Sequence, residues 1–198
     1  MQTEFEIKFY PVNKDALRQQ LTKLGAVCTH PRRLMRRKAY PVANHGVDSK
    51  YFRVRDEWEI NGNRKITCTY KQVWDTSDIN AVQEIEVSVS DYDAMNAIFE
   101  AIGHTPKAIQ ESYREERKLS DGCACMIDQR PGTECFVEIE WVDETTVRHR
   151  SKTLWFERES WIFWTVVDVY QKFLGTERDF IANYPKLTFD NPPVLSTS

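Results

Sequence analysis

Apolar and polar residues alternate with a period of two through most of the chain. Glu4-Phe5-Glu6-Ile7-Lys8-Phe9 alternates strictly, and so do residues 51–55, 65–71, 84–89 and 137–141, which is the pattern of half-buried strands. Residues 104–119 predict a further long strand, and Arg130-Pro131-Gly132-Thr133 predicts a turn joining strands at 123–129 and 134–142. Helical spacing enters in three places. Asn13 caps a run in which Ala16, Leu17, Leu21 and Leu24 recur before Gly25; a second run passes from Asp91 through Met95, Ile98, Phe99 and Ile102 to Gly103. The aromatic-rich stretch 154–174, ending at Gly175, predicts a third helix outside the sheet. The expected fold class is therefore α+β, with about eight antiparallel strands, enough to close into a barrel, and helices packed outside.

The polar faces of these strands are unusual. A wetted strand face normally carries Thr, Ser, Gln and Asn among its charges. Here the polar positions hold Glu4, Glu6 and Lys8; Arg53 and Arg55; Lys65 and Lys71; Glu84 and Glu86; Arg114 and Lys118; Glu138 and Glu140. The opposite faces (Phe5, Ile7, Phe9; Phe52, Val54; Ile85, Val87; Val137, Ile139, Trp141) are strongly apolar. Amphipathic helices would cover those apolar faces, which turns the charged faces inward and predicts a polar tunnel lined by both signs. Crowded carboxylates repel unless a cation sits among them, and clustered Arg and Lys ask for an anion. A divalent metal with a polyphosphate satisfies both.

Composition narrows the class. The 198 residues, 41% hydrophobic and 29% charged with 7 Gly and 8 Pro, suit one soluble domain, expected over 1–190 with a frayed tail at 191–198. The formal charge of −3 argues against a nucleic-acid partner despite the basic run Arg32-Arg33 to Lys38, which lacks interleaved stacking aromatics. No membrane partner is expected, because no apolar run is long enough to span one and the acidic start is unlike a secretory signal; the expected location is cytoplasmic. The five cysteines, an odd number without a C-x-x-C pair, read as buried thiols rather than disulfides or zinc ligands.

Glu4-Phe5-Glu6-Ile7-Lys8 resembles the E-x-E-x-K signature of the CYTH family, the triphosphate tunnel metalloenzymes, which include class IV adenylyl cyclases, thiamine triphosphatases and inorganic triphosphatases. The likeness continues in order through a basic strand at 34–40, Arg53-x-Arg55, Lys65 and Lys71, Glu84-x-Glu86, Arg114, Asp128 and Glu138-x-Glu140. It implies a closed eight-stranded antiparallel β-barrel, open at both ends, forming a triphosphate tunnel. Mg²⁺ or Mn²⁺ is the implied cofactor, since both take hard oxygen ligands, with Glu4, Glu6, Asp128, Glu138 and Glu140 as candidate metal ligands. Glu6, Glu86 and Glu138 are the candidate catalytic carboxylates. Lys8, Arg37, Arg53, Arg55, Lys65, Lys71, Arg114 and Lys118 are the candidate phosphate ligands, Arg by forked pairs and Lys as point charges.

The implied partner is a small molecule bearing a triphosphate: tripolyphosphate, ATP or another organic triphosphate. The activity expected is metal-dependent hydrolysis releasing phosphate. The alternative is a class IV adenylyl cyclase making cyclic AMP and pyrophosphate from ATP, and the third reading is a non-catalytic polyphosphate- or nucleotide-binding module. Tyr40, Tyr51, Trp58 and Trp74 are candidate platforms for a base. Thiamine triphosphatases carry a further phosphate-binding lysine near the C-terminus, for which Lys172 and Lys186 are the candidates, neither inside a clear motif. Which of Arg36, Arg37 and Lys38 faces the tunnel stays open, except that alternation sets Arg37 opposite its two neighbours. Homodimerisation is an expectation of the resemblance alone.

Overall fold

A computed structural model describes residues 2–42, 49–58, 62–73, 82–156, 166–177, 180–181 and 183–193. The alternating segments become β1 (Gln2–Phe9), β2 (Val27–Pro41), β3 (Ser49–Trp58), β4 (Arg64–Val73), β5 (Val82–Ser88), β6 (Ala108–Lys118), β7 (Ala124–Gln129) and β8 (Cys135–Trp141). A two-residue strand, β9 (Lys186–Leu187), adds to β6 in parallel. The strands run in the order β2-β3-β4-β5-β1-β8-β7-β6, all antiparallel, and β6 pairs back onto β2 from Val27↔Lys118 to Ala39↔Ala108. The connectivity of the expected barrel is therefore complete, but its wall is open along one side. β1 meets β5 over only three residue pairs, Gln2↔Glu84 to Glu4↔Val82, before turning to β8 for Phe5 to Phe9. The rest of β5 has no such neighbour on its β1 side, and outward-facing Ile85 and Val87 are exposed.

Three helices cover the outer apolar faces. In α1 (Lys14–Lys23) the Asn13 Oδ1 accepts the amides of Asp15 and Ala16, each at 3.1 Å, and Leu17 and Leu21 are buried. Each such leucine contributes about 1.5–3 kcal/mol relative to exposure. Leu17 and Leu21 join Ile7, Phe9, Ile127, Val137, Ile139 and Val147 in a core outside β1, β7 and β8. α2 (Tyr92–Ala101), capped by Asp91 on the Ala94 amide at 2.8 Å, lays Tyr92 and Phe99 over Tyr40, Val54, Ile66 and Cys68. The core thus lies between helices and barrel, which leaves the barrel interior to polar side chains.

The third helix departs from expectation. Instead of one helix over 154–174, there is α3 (Glu144–Thr153), capped by Asp143, and α4 (Val166–Leu174). Trp155 takes φ 63° just past α3, where its amide bonds Lys152 O and the Phe156 amide bonds Ser151 O, and these bonds end the helix. α3 is polar on most of its surface and buries only Val147 and Ser151, so it left little apolar periodicity to find. Phe156 instead stacks on Phe9, with centroids 4.1 Å apart, and residues 157–165 lie outside the described residues. α4 packs Tyr170 against Ile181 and Leu187. Packed structure continues to Asn191, whose side-chain amide bonds Lys186 O at 2.7 Å, and to buried Pro193. Among the described residues no helix is long and apolar enough to cross a membrane.

Candidate functional site

Register decides which side chains share the interior. In an antiparallel ladder, directly opposed residues project to the same face. β1 sets Glu6 opposite Glu140 and Lys8 opposite Glu138. β6 sets Arg114 opposite Asp128, β3 sets Arg55 opposite Arg37, and β4 sets Thr69 and Lys71 opposite Glu86 and Glu84. The apolar residues at intervening positions of β1, β3 and β8 lie under the helices, and those of β5 (Ile85, Val87) face outward and exposed, so the charged residues line one interior, as the patterning predicts.

The densest acidic group is Glu6, Glu138 and Glu140, with a carboxylate oxygen from each within 4.8 Å of the others. Lys8 Nζ donates to Glu6 at 2.7 Å and lies 3.9 Å from Glu138. Arg114 forks onto Asp128, Nε to Oδ1 at 2.7 Å and Nη2 to Oδ2 at 2.6 Å, and Nη2 also reaches Glu138 at 3.3 Å. Burial works against the Glu138 anion, but Lys8 and then Arg114 hold its pKa below the usual carboxylate range. Among the described residues no cation forms an ion pair with Glu140, and Arg114 and Lys71 act on it only at longer range. Burial first, then the Glu138 and Glu6 charges, push it up to about 7. Burial would lower the Lys8 ammonium, yet Glu138 and Glu6 together raise its pKa. Three hard oxygen donors converging with one carboxyl reluctant to ionise is a donor set that fits Mg²⁺ or Mn²⁺. Asp128 is not brought into that trio, because both its oxygens are taken by Arg114.

The facing wall is a second ion network. Arg53 Nη2 lies 3.7 Å from Glu84 and 3.8 Å from Glu86, and donates to Thr69 Oγ1 at 3.2 Å. Thr69 in turn donates to Glu86 at 2.9 Å. Lys71 pairs with Glu84 at 2.5 Å, and Arg55 with Glu57 at 2.9 Å and Glu86 at 3.3 Å. Burial would lower the Lys71 pKa, but Glu6 and Glu84 drive it far upward, while burial and neighbouring Arg53 hold Arg55 below its ordinary value. Lys65, half-exposed at 3.8 Å from Glu86, and Lys118, half-exposed at 3.4 Å from Glu116, stand at the margins.

Arg37 points inward, nine-tenths buried, with Nη2 3.5 Å from Ser112 Oγ. Its neighbours point outward: Arg36 to Asp56 at 2.9 Å and Lys38 to Glu100 at 3.0 Å. Of the candidate base platforms, Tyr40 is fully buried under α2, donating to Asn96 at 2.8 Å, and Trp58 lies outside, donating to Asp56 at 3.0 Å. Tyr51 is half-buried and opposite Lys71 on the interior face. Lys172 is exposed, and Lys186, also exposed, pairs with Asp190 at 3.3 Å. Trp74 and the side chain of Glu4 lie outside the described residues.

Sequence reasoning passed over several interior residues. Arg33 pairs with Glu57 at 2.7 Å, Glu116 accepts from Thr29 at 3.1 Å, and Arg130 is 5% exposed one step beyond β7. Each continues an alternation already recognised: Glu57 after Arg53 and Arg55, Glu116 between Arg114 and Lys118, Arg130 after Asp128.

No protein-family model and no curated protein matches the chain. Solved structures do match its fold. The PH1012 protein from Pyrococcus horikoshii OT3 superposes with TM-score 0.69 at 20% identity, over 83% of this chain and 98% of that one. A candidate adenylate cyclase from Vibrio parahaemolyticus gives TM-score 0.68 at 12% identity, over 86% and 98%. HpAC1 from Hippeastrum, a candidate adenylyl cyclase described as having a dominant triphosphatase activity, gives 0.55 at 13% identity, over 87% and 96%. Strand order, inward charge and these likenesses together give the chain the fold of these proteins, the α+β antiparallel barrel that the CYTH resemblance implied, with its wall open along one side rather than closed.

Proposed function

We propose that the chain binds a triphosphate in the barrel interior and hydrolyses it with a divalent metal, releasing phosphate. The observation that carries the proposal is the convergence of Glu6, Glu138 and Glu140 beside Lys8 and Arg114 in one buried interior. A module that only bound anions would gain nothing from a carboxylate trio there, since it opposes the ligand's charge. Phosphoryl transfer needs little covalent chemistry from a protein and depends on positioning and charge stabilisation. Lys8, Arg53, Arg55, Lys71 and Arg114 exchange their carboxylate partners for phosphate oxygens and hold the chain in line. Glu86 or Glu138 orients the attacking water toward the terminal phosphorus. The bond from the terminal phosphorus to its bridging oxygen breaks as the bond to water forms: the attacked group is released as phosphate, the water proton passes to the orienting carboxylate or to solvent, and the remaining diphosphate is the leaving group, its oxygen charge balanced by Lys and Arg. Glu6, Glu138 and Glu140 would hold Mg²⁺ or Mn²⁺, which would supply Lewis-acid stabilisation of the phosphoryl oxygens.

A second reading is supported by Tyr51, whose ring stands on the interior face beside Lys71. As a platform for a purine it would let the same clamp serve ATP cyclisation to cyclic AMP and pyrophosphate. The hydrolase reading draws its support from the triphosphate clamp alone and so requires no base pocket. The test of either is Glu6→Ala. It removes metal-dependent turnover of tripolyphosphate and ATP while leaving the melting temperature unchanged or raised, and turnover at the wild-type rate would overturn the metal assignment.

A further inference from the structure

Almost every cation in the interior already has a carboxylate. Lys8 has Glu6 and Glu138, Arg33 has Glu57, Arg53 has Glu84 and Glu86, Arg55 has Glu57 and Glu86, and Arg114 has Asp128 and Glu138. Two guanidinium groups break this rule. Arg130 is 5% exposed, and among the described residues no hydrogen bond or ion pair reaches its side chain; its Nε is sealed from solvent without a partner. Arg37 is 9% exposed, its Nε is likewise unpartnered, and among the described residues its side chain makes a single hydrogen bond, the long one to Ser112. Burying a guanidinium without a counter-ion is unfavourable, and among the described residues these two have none, which leaves charge in the interior ready for something anionic.

The two belong to one place. Met35 is opposite Ser112 on β6, which puts Arg37 one interior position away on β2. On the other side, the β6–β7 register runs Arg114↔Asp128 and Tyr113↔Gln129 and ends there, with Arg130 the next residue after β7. Continued by one step, that register sets Arg130 level with Ser112, which is fully buried and accepts from Arg37. The position lies beyond Arg114 from the Glu6, Glu138 and Glu140 trio, since β8 carries Glu140, Glu138 and Phe136 in that order toward Asp128. The turn after β7 is fixed there: Thr133 N bonds Arg130 O at 3.1 Å, and Tyr170 of α4 donates to Pro131 O at 2.8 Å. Burial pulls the Arg130 pKa down, with Tyr170 and Glu138 opposing.

We propose that Arg37, Ser112 and Arg130 form an additional anion subsite for a phosphoryl group at the end of the tunnel remote from the carboxylate trio, with Arg130 as the residue that sets its affinity. Forked guanidinium donors and a hydroxyl match the several oxygens of a phosphate. This deepens the triphosphate reading and rests on it for the identity of the substrate: the subsite takes the end of the polyphosphate chain that the metal does not hold.

The experiment is calorimetric titration of metal-free protein with tripolyphosphate and, separately, inorganic phosphate, alongside melting of the ligand-free protein, for the wild type, Arg130→Gln, Arg130→Lys and Arg37→Gln. Arg130→Gln weakens tripolyphosphate at least tenfold and raises the ligand-free melting temperature, because it removes an unpaired buried charge. Arg130→Lys, which keeps the charge but loses the fork, recovers part of the affinity and stays weaker than wild type, and Arg37→Gln weakens binding as Arg130→Gln does, so the subsite stays testable if one variant folds poorly. Affinity of Arg130→Gln within twofold of wild type overturns the subsite while leaving the triphosphate reading intact. Wild-type protein that ignores tripolyphosphate but binds phosphate through Arg130 upholds the subsite and overturns the triphosphate reading. Binding of neither overturns both.

Discussion

Glu140 offers the sharpest energetic test of the carboxylate trio. Its pKa of about 7 against an ordinary 4.5 corresponds to about 3 kcal/mol between its two protonation states. With the folded value raised, the native protein keeps a proton between about pH 4.5 and 7 that the unfolded chain has already released. The stability this contributes is full below pH 4.5 and lost as pH rises through 7. Glu140→Gln is neutral at every pH and so escapes the loss. In chelator, the variant and wild type should melt together at pH 4, while at pH 8 the variant should melt higher by about 6–12 °C, taking about 2–4 °C per kcal/mol for a chain of this size. Mg²⁺ or Mn²⁺ at pH 8 should then raise the wild-type melting temperature and leave that of the variant nearly unmoved. A variant no more stable than wild type at pH 8 would refute the crowding of these carboxylates.

Other residues test separate parts of the account. Lys8→Ala, which removes a buried cation shared by Glu6 and Glu138, should weaken tripolyphosphate by about 10- to 100-fold by titration, the value of one charged hydrogen bond. Asp56 is fully buried outside the barrel beneath Arg36, Arg64 and Trp58, so Asp56→Ala should cost about 3–5 kcal/mol in denaturant unfolding, without altering substrate affinity at temperatures where it stays folded. Gly122 has φ 88°, and an added Cβ would stand 2.2 Å from the Trp141 ring. Gly122→Ala should therefore lower stability by about 1–3 kcal/mol, read by the same unfolding curves.

Much of this site was legible because alternation and charge coincide. Once the apolar faces of 5–9, 85–89 and 137–141 are assigned to helices, Glu6, Lys8, Glu86, Glu138 and Glu140 must face the interior, and the register bears that out. Alternation also separates Arg37 from Arg36 and Lys38, although it does not by itself say which side is inward; the outward contacts of Arg36 with Asp56 and Lys38 with Glu100 decide it. The open side of the wall was not legible, because the length of the β1–β5 overlap depends on how far β1 shifts toward β8, a tertiary matter. Nor was α3, whose Glu144–Thr153 stretch is stabilised by the Asp143 cap and buries only two side chains. Tyr40 resembled a stacking platform in sequence, yet its ring packs on Phe99 with centroids 4.9 Å apart, a contact between β2 and α2 that no local pattern specifies. Arg130 was missed because it stands at a turn, where strand alternation is not normally extended.

The central claim is that this charged interior is a metal-dependent triphosphate site. The most direct measurement incubates the protein separately with tripolyphosphate and ATP, each with Mg²⁺, with Mn²⁺ and with chelator, and resolves all products by ion-exchange chromatography. Phosphate should be released from tripolyphosphate with metal and none with chelator. Cyclic AMP and pyrophosphate from ATP would replace hydrolysis by the cyclase reading at the same residues, and turnover of neither substrate with either metal would contradict the claim.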